Sequence, residues 1–478
     1  MISTPDLAAG GPAECSAGSQ QPAYVYARSL SCKQEVTRGL EWLVAGPAGA
    51  HNEASGVHVS TTVAHPVPRS PERPQRLTSP AALGSWLARL LHVWSYLAAP
   101  EATGRRDLRV DFLRGFCVFA MVVDHFGGES WLYALTGGNR FYVSAAEGFI
   151  FISGFIMGQA YRGKRDRSGL VVAMTDALRR ARTLYLATAA LTIVFSSLYL
   201  YTDIALWTGR DFGLGIDSFD EIVIGALTLH YTYHGTDILA MYTLLVLAAP
   251  LVLLLLSIGD WYWLVIASWL WWLVYQLYPE EATLPWYIRH GENFPLAAWQ
   301  VLFVNGQALG FYRRELTEWL QSWRPLRVAG VALGVAITLG LVSLFWASET
   351  GAPVPAQLAF FDVDPTVLSE TFFKVPLRPW RLVAFGSVAI VAYTAATYLW
   401  LPLRRVLGWL MLPLGQAALY SYIVHFFLIL LVYNLAPLLA TLPLGIAEQV
   451  FTTALQAGVI LLLWSLVRWR VLFRIIPN

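Results

Sequence analysis

The run RVDFLRGFCVFAMVVDH, residues 109–125, is apolar enough to cross a membrane and yet carries Asp111, Arg114, Asp124 and His125. A charge at the bilayer centre costs roughly 2.5–3.5 kcal/mol on insertion scales, so such residues face a bundle interior or a polar cavity. Histidine, with an ordinary pKa of about 6.5, suits proton transfer near neutral pH, and a hydroxyl acceptor needs such a base. At about 100° per residue, Asp111, Arg114, Val118, Met121, Val122 and His125 share roughly a third of the helix circumference. Asp124 points elsewhere on this geometry and is the less favoured actor of the pair. Fourteen residues at about 1.5 Å each separate Asp111 from His125 by about 21 Å, so one helix face marks a polar track across most of the hydrocarbon. The plainer alternatives are an Asp111–Arg114 ion pair at i, i+3 and a His125 satisfied by Asp124, Glu129 or a carbonyl.

A second segment, FYVSAAEGFIFISGFIMGQAY, places Ser144, Glu147, Phe151, Gly154 and Gly158 on one side. Gly154 and Gly158 form a small-xxx-small seam for close helix packing. Glu147 falls at a depth comparable with His125, where a carboxylate would orient the imidazole and stabilise its cation. A salt bridge to Arg140 is the alternative. Other polar groups recur at the ends of apolar segments, namely His230, His234 and Asp237, then Arg289, His290 and Glu292. His425 lies in SYIVHFF with Tyr420, Ser421 and Tyr422 nearby and no adjacent charge; it serves either catalysis or hydrogen-bonded packing. The densest basic stretch, expected as a loop over 162–182, holds Arg162, Lys164, Arg165, Arg167, Arg179, Arg180 and Arg182. It suits the phosphates of a nucleotide carrier, although a topology signal explains it too.

These segments need a frame. The chain of 478 residues is 56% hydrophobic and 13% charged with mean hydropathy +0.52, the composition of an all-α, polytopic integral membrane bundle. The net charge of +2 implies no nucleic acid partner, and Cys15, Cys32 and Cys117 show neither metal spacing nor a disulfide framework. Residues 1–80, rich in Ala, Gly, Pro and Ser, read as a disordered extension, and 81–104 as an amphipathic interfacial helix and linker. Ten spans are expected near 108–127, 141–161, 183–202, 236–257, 260–278, 294–312, 326–347, 381–402, 411–434 and 447–468. With both termini inside, the inner segments carry nineteen Lys and Arg against six outside, as the positive-inside rule requires. Trp131, Trp207, Trp286 and Trp346 near outer ends suit an interfacial belt or sugar stacking.

The arrangement RDLRVDFLRGFCVFAMVVDH followed by GGESWLYALTGGNRFYVSAAEGFIFISGFIMG, with LGQAALYSYIVH near the C-terminus, resembles the OpgC family of bacterial inner-membrane proteins. The resemblance extends over 105–478 and implies a multi-pass O-acyltransferase in the inner membrane. Such an enzyme would move a succinyl or other short acyl group from cytoplasmic acyl-CoA, a co-substrate, to hydroxyls of osmoregulated periplasmic glucans, with no tightly bound cofactor. The resemblance maps to Asp111, Arg114, Asp124 and His125 in the first segment and to Glu147 and the glycines around it in the second, and leaves open whether His425 matches a functional histidine. Taken with the reading of the residues themselves, the candidate catalytic set is His125, Glu147, Asp124 and His425, and the candidate substrate-binding set is Asp111, Arg114, Ser144, Arg179, Arg180 and Arg182. A transporter or flippase is the rival reading, since intramembrane polar groups also mark transport paths.

Overall fold

The computed structural model describes residues 89, 91–103, 106–206, 218–282, 286–353, 358, 364–440 and 447–477. The expected disordered extension, most of the amphipathic helix and Trp207 lie outside them. Every regular element among the described residues is helical, apart from one bridge between Tyr231 and Arg289. The principal helices are α1 (Leu108–His125), α2 (Ala145–Ser168), α3 (Leu170–Tyr201), α4 (Phe219–Thr228), α5 (Asp237–Ile258), α6 (Trp261–Leu277), α7 (Leu296–Phe311) and α8 (Arg313–Ser322). They continue as α9 (Arg324–Thr350), α10 (Pro365–Thr371), α11 (Pro379–Tyr398), α12 (Trp400–Val406), α13 (Gly408–Gln416), α14 (Ala418–Ala440) and α15 (Glu448–Arg468).

Each expected span holds a helix. Among the described residues, six segments are long and apolar enough to cross a membrane: α3, α5, α9, α11, residues Ala418–Leu435 of α14, and α15. The other four are the chemically loaded or short ones. α1 and α2 carry the charged and small residues, and α6 and α7 are 17 and 16 residues long.

The expected basic loop over 162–182 is helix instead. α2 runs on to Ser168, Gly169 turns the chain at φ +89°, and α3 starts at Leu170. At about 1.5 Å per residue the 32 residues of α3 extend about 48 Å, longer than a hydrocarbon layer of about 30 Å requires; in its first half Arg179 and Arg182 are exposed while Ala173, Ala177 and Ala181 are buried. Acidic partners occupy several of these cations: Lys164 and Arg179 meet Asp176, Arg165 meets Asp166, and Arg162 meets Glu315. The ninth expected span is likewise broken, at Ala417 between α13 and α14.

Two glycine seams hold the site helices. A Cβ on Gly154 would collide with the Phe303 carbonyl and one on Gly158 with that of Gln307; conversely Gly306 and Gly310 admit the carbonyls of Phe151 and Phe155. The seam expected on Gly154 and Gly158 is thus the α2–α7 contact, glycine against glycine. A second seam joins α1 to α13, where Gly115 admits the Met411 carbonyl and Gly415 that of Asp111. Without a hydrophobic driving force between helices in lipid, such close packing and interhelical hydroxyl contacts carry association. Thr188–Thr243 and Thr192–Thr236, each 3.3 Å, supply the latter between α3 and the start of α5. The base of α1 is fixed by buried Asp107, which caps the helix and accepts from Arg109 Nε at 3.0 Å and from Arg313 at 2.5 Å.

Replacing Gly158 by Leu must drive backbone apart and should cost about 1–3 kcal/mol or more, read as a lower unfolding temperature of the detergent-solubilised protein. Gly330→Ala, whose Cβ meets open space in a helix interior, should instead be neutral or stabilise by about 0.5–1 kcal/mol. Equal unfolding temperatures for the two variants would rule out the seam as a packing constraint.

Candidate active site

The C-terminal end of α1 and the N-terminal ends of α2, α5 and α11 surround a cavity of about 350 Å³, the scale of small-molecule sites. Asp124, His125, Asn139, Ser144, Asp237, Asn293, Lys374, Arg381 and Tyr422 supply its polar wall, with Met121, Phe149 and Phe294 among the apolar surfaces.

His125 closes α1, and His425, fully buried on α14, stands behind it with Nε2 3.2 Å from His125 Nδ1. On its other side His425 Nδ1 meets the Tyr422 carbonyl. A carbonyl only accepts, so His425 Nδ1 carries the proton and, in the neutral ring, Nε2 is the acceptor. His125 Nδ1–H must then donate to it, which leaves Nε2 as the basic nitrogen of the ring that borders the cavity. The tautomer of His125 is therefore set from a backbone carbonyl through a second imidazole. When His125 takes a proton at Nε2, its Nδ1–H still points at His425 Nε2, an acceptor able to share the charge.

Glu147 has a different role from the expected one. Its carboxylate forms a buried ion pair with Arg381 and accepts from Ser144 N–H at 3.0 Å and Ser144 Oγ–H at 2.5 Å. The expected orientation of His125 by Glu147 gives way to orientation by His425, and the alternative partner Arg140 pairs with Glu349 at 2.8 Å. Ser144 serves as cap and support at the start of α2. Arg381 also donates to the Phe372 carbonyl at 2.9 Å, so the pair ties α2 to α11 and to the segment that brings Lys374 to the cavity.

Asp124 also departs from the helical-wheel reading. It borders the same cavity as His125 and accepts from Thr136 Oγ1–H at 2.6 Å. At the last turn of a helix two adjacent side chains flank a cavity that wraps around its end, which a wheel drawn for a continuous helix does not capture.

Toward the other end of α1 the alternative reading, an Asp111–Arg114 ion pair, is not formed. Asp111 pairs with Arg106 at 2.5 Å, while Arg114 lies over the Phe149 ring at 5.4 Å. Arg114 and Arg180 border a narrow cleft of about 10 Å³, and Phe149, Ile238 and Tyr422 line both this cleft and the main cavity. Arg179 and Arg182 are exposed on α3, away from that cleft's lining. Of the residues assigned from sequence, His125, Asp124 and Ser144 line the cavity, His425 stands behind His125, and Glu147 contacts the lining residues Ser144 and Arg381. Arg114 and Arg180 come together at the cleft, and Asp111, Arg179 and Arg182 are dispersed.

Lys374, Arg381, Asp237 and Asn293 were not picked out as site residues from the sequence. Asp237 accepts from Asn293 Nδ2–H at 3.0 Å and from the Ile238 amide at 2.9 Å. Lys374 carried a usable signal: it is one of three lysines in a chain with thirty arginines. Burial lowers the Lys374 pKa from its ordinary 10.5, and the Glu147 carboxylate opposes the fall. No three His, Cys, Asp or Glu side chains come together as a metal site among the described residues.

Helices able to cross a membrane, together with an imidazole at a polar cavity, describe a membrane protein with a titratable side chain at a small-molecule-sized site. Residues 106–475 match the family described as OpgC protein, and the chain belongs to that family. It is a membrane-associated, glucan-modifying acyltransferase by that membership. No curated protein and no solved structure matches it.

If the histidines act as one unit, His125→Ala and His425→Ala should each lower acyl transfer by about 10²–10⁴-fold, and the double variant little further. Multiplicative losses in kcat would show two independent roles. Glu147→Gln, which strands a buried guanidinium, should destabilise by about 3–5 kcal/mol. Adding Arg381→Met should recover much of that loss in a thermal-unfolding comparison, and no recovery would contradict the pairing as the cause.

Proposed function

We propose that this protein transfers a succinyl or other short acyl group from cytoplasmic acyl-CoA to hydroxyls of osmoregulated periplasmic glucans. In this reading it crosses the bacterial inner membrane ten times with both termini inside, which places the C-terminal end of α1 and the cavity at the periplasmic side. The observation that carries the reading is the hydrogen-bonded order Tyr422 carbonyl, His425, His125, which leaves a basic nitrogen on the ring bordering the cavity. The polar wall supports it as well. Asp124, Asn139, Asp237 and Asn293 offer acceptors and donors for sugar hydroxyls, and the Phe294 ring gives an apolar surface for a sugar face.

The chemistry is a single displacement. A glucan hydroxyl gives its proton to His125 Nε2 as its oxygen attacks the thioester carbonyl; the C–O bond forms, the C–S bond breaks, and the thiolate leaves. The imidazolium returns its proton to that sulfur, with His425 sharing the charge in the interval. The donor approaches from the inner side, its phosphates near exposed Arg179 and Arg182 and its arm along the cleft bordered by Arg114 and Arg180. To reach His125 the arm must pass the shared wall of Phe149, Ile238 and Tyr422.

Reconstituted protein supplied with labelled succinyl-CoA on one side and glucan on the other should form base-labile labelled glucan ester, and His125→Ala should not. Glucan moved across the membrane without ester formation would replace this reading with a flippase.

A further inference from the structure

The side chains around the cavity are unequally partnered. Arg381 is neutralised by Glu147. Asp124 accepts from Thr136, and Asp237 from Asn293 and the Ile238 amide. The Lys374 ammonium, alone among the cavity's cations, makes neither hydrogen bond nor ion pair with the described residues; it lies 5.6 Å from the centroid of the Phe294 ring, and the carboxylates of Glu147, Asp237 and Asp124 act on it only from beyond ion-pair distance. An ammonium has three donors and no acceptor, and withdrawing it from water without a partner is costly. The fold nevertheless holds it there through the Glu147–Arg381 pair and the Arg381–Phe372 hydrogen bond that anchor its segment.

We propose that Lys374 is the residue that selects the acyl group, its ammonium receiving the free carboxylate of a dicarboxylic half-thioester. This rests on the acyl-transfer reading of the cavity and adds the determinant of donor choice. The two carboxylates on the wall, Asp124 and Asp237, repel an anion and suit hydroxyls, so they leave the Lys374 side as the one place where a charged acyl tail is favoured. A lysine answers that need better than an arginine, because the compact ammonium meets a carboxylate at the end of a short flexible chain without imposing a planar fork. In the transfer, the distal carboxylate stays unchanged while the proximal carbonyl passes from sulfur to the glucan oxygen. The product ester therefore carries one new negative charge per acyl group, and a neutral acyl group would leave Lys374 unpaired.

The test compares full-length wild type, Lys374→Met and Lys374→Arg in liposomes, each given succinyl-CoA and acetyl-CoA separately with the same glucan. A charge-assisted hydrogen bond contributes enough that Lys374→Met should lower the succinyl-to-acetyl ratio of kcat/KM by about 10–100-fold. Lys374→Arg should retain most of the preference. Unfolding temperatures are measured alongside, and because the readout is a ratio, a partly unfolded variant still reports it. An unchanged ratio in Lys374→Met, including an equal loss with both donors as expected of a group stabilising the thioester oxyanion, overturns the assignment while leaving acyl transfer intact. Wild type that transfers neither acyl group overturns the underlying reading itself.

Discussion

A backbone carbonyl that can only accept is the fixed point from which the site is built. Tyr422 sits one turn before His425 on α14, so the carbonyl that sets the His425 tautomer belongs to the same rigid element as the ring it orients. The tautomer then passes to His125 across a helix–helix contact between residues 300 positions apart. Such a relay works only if α1 and α14 keep their separation to within a fraction of an ångström, since hydrogen bonds weaken steeply with distance and misalignment. The α1–α13 seam helps to supply that precision: Gly115 and Gly415 let α1 meet backbone, and α13 leads through Ala417 directly into α14. The buried Asp107–Arg109–Arg313 cluster fixes the other end of α1. The position of the His125 ring at one end of the helix is thus supported by ion pairing at the other.

The Glu147–Arg381 pair organises the opposite wall. A buried ion pair is weak evidence for stability, because desolvation offsets much of the Coulomb attraction, and its best-attested use is to specify register. Here it specifies which segments meet: the start of α2, the start of α11 and the Phe372–Lys374 stretch. The Gly154/Gly158 seam on the same α2 sets how deeply Glu147 is carried into the bundle. Replacing the pair by apolar residues of similar volume would leave the helices packed but would remove the directional reason for Lys374 to face the cavity.

The helices themselves, His125 and the glycine seam were legible in the sequence because each has a local signature: apolar length, an ionisable residue where lipid should be, small residues four apart. The pairings were not, because they are decided by side chains hundreds of positions away. Nothing near His125 announces His425, and Glu147 looked like the partner only because the two fall at similar depths in neighbouring helices. The basic stretch 162–182 read as a loop since charge density marks the end of a span, whereas α3 is simply longer than the apolar layer requires and is broken from α2 by one glycine. Asp124 was misjudged by treating the last turn of a helix as if the helix went on. Lys374 was visible in composition and invisible in pattern, for a residue between helices carries no periodicity to say where it points.

The wall shared by the cleft and the cavity has a further consequence for a membrane enzyme of the proposed kind. Arg114 and His125 are eleven residues apart on α1, about 16 Å along its axis, and a continuous wet channel over that distance would conduct ions. Phe149, Ile238 and Tyr422 stand between the two spaces. The Arg114 guanidinium lies over the Phe149 ring, 5.4 Å from its centroid, so a cation that borders the cleft touches a side chain of the shared wall. In the proposed reading, a donor arm passing this wall would have to displace Phe149 from Arg114 and would itself fill the space the ring leaves. One contact would then serve both entry of the donor and exclusion of water, at an arginine whose Nε has no hydrogen-bond partner among the described residues.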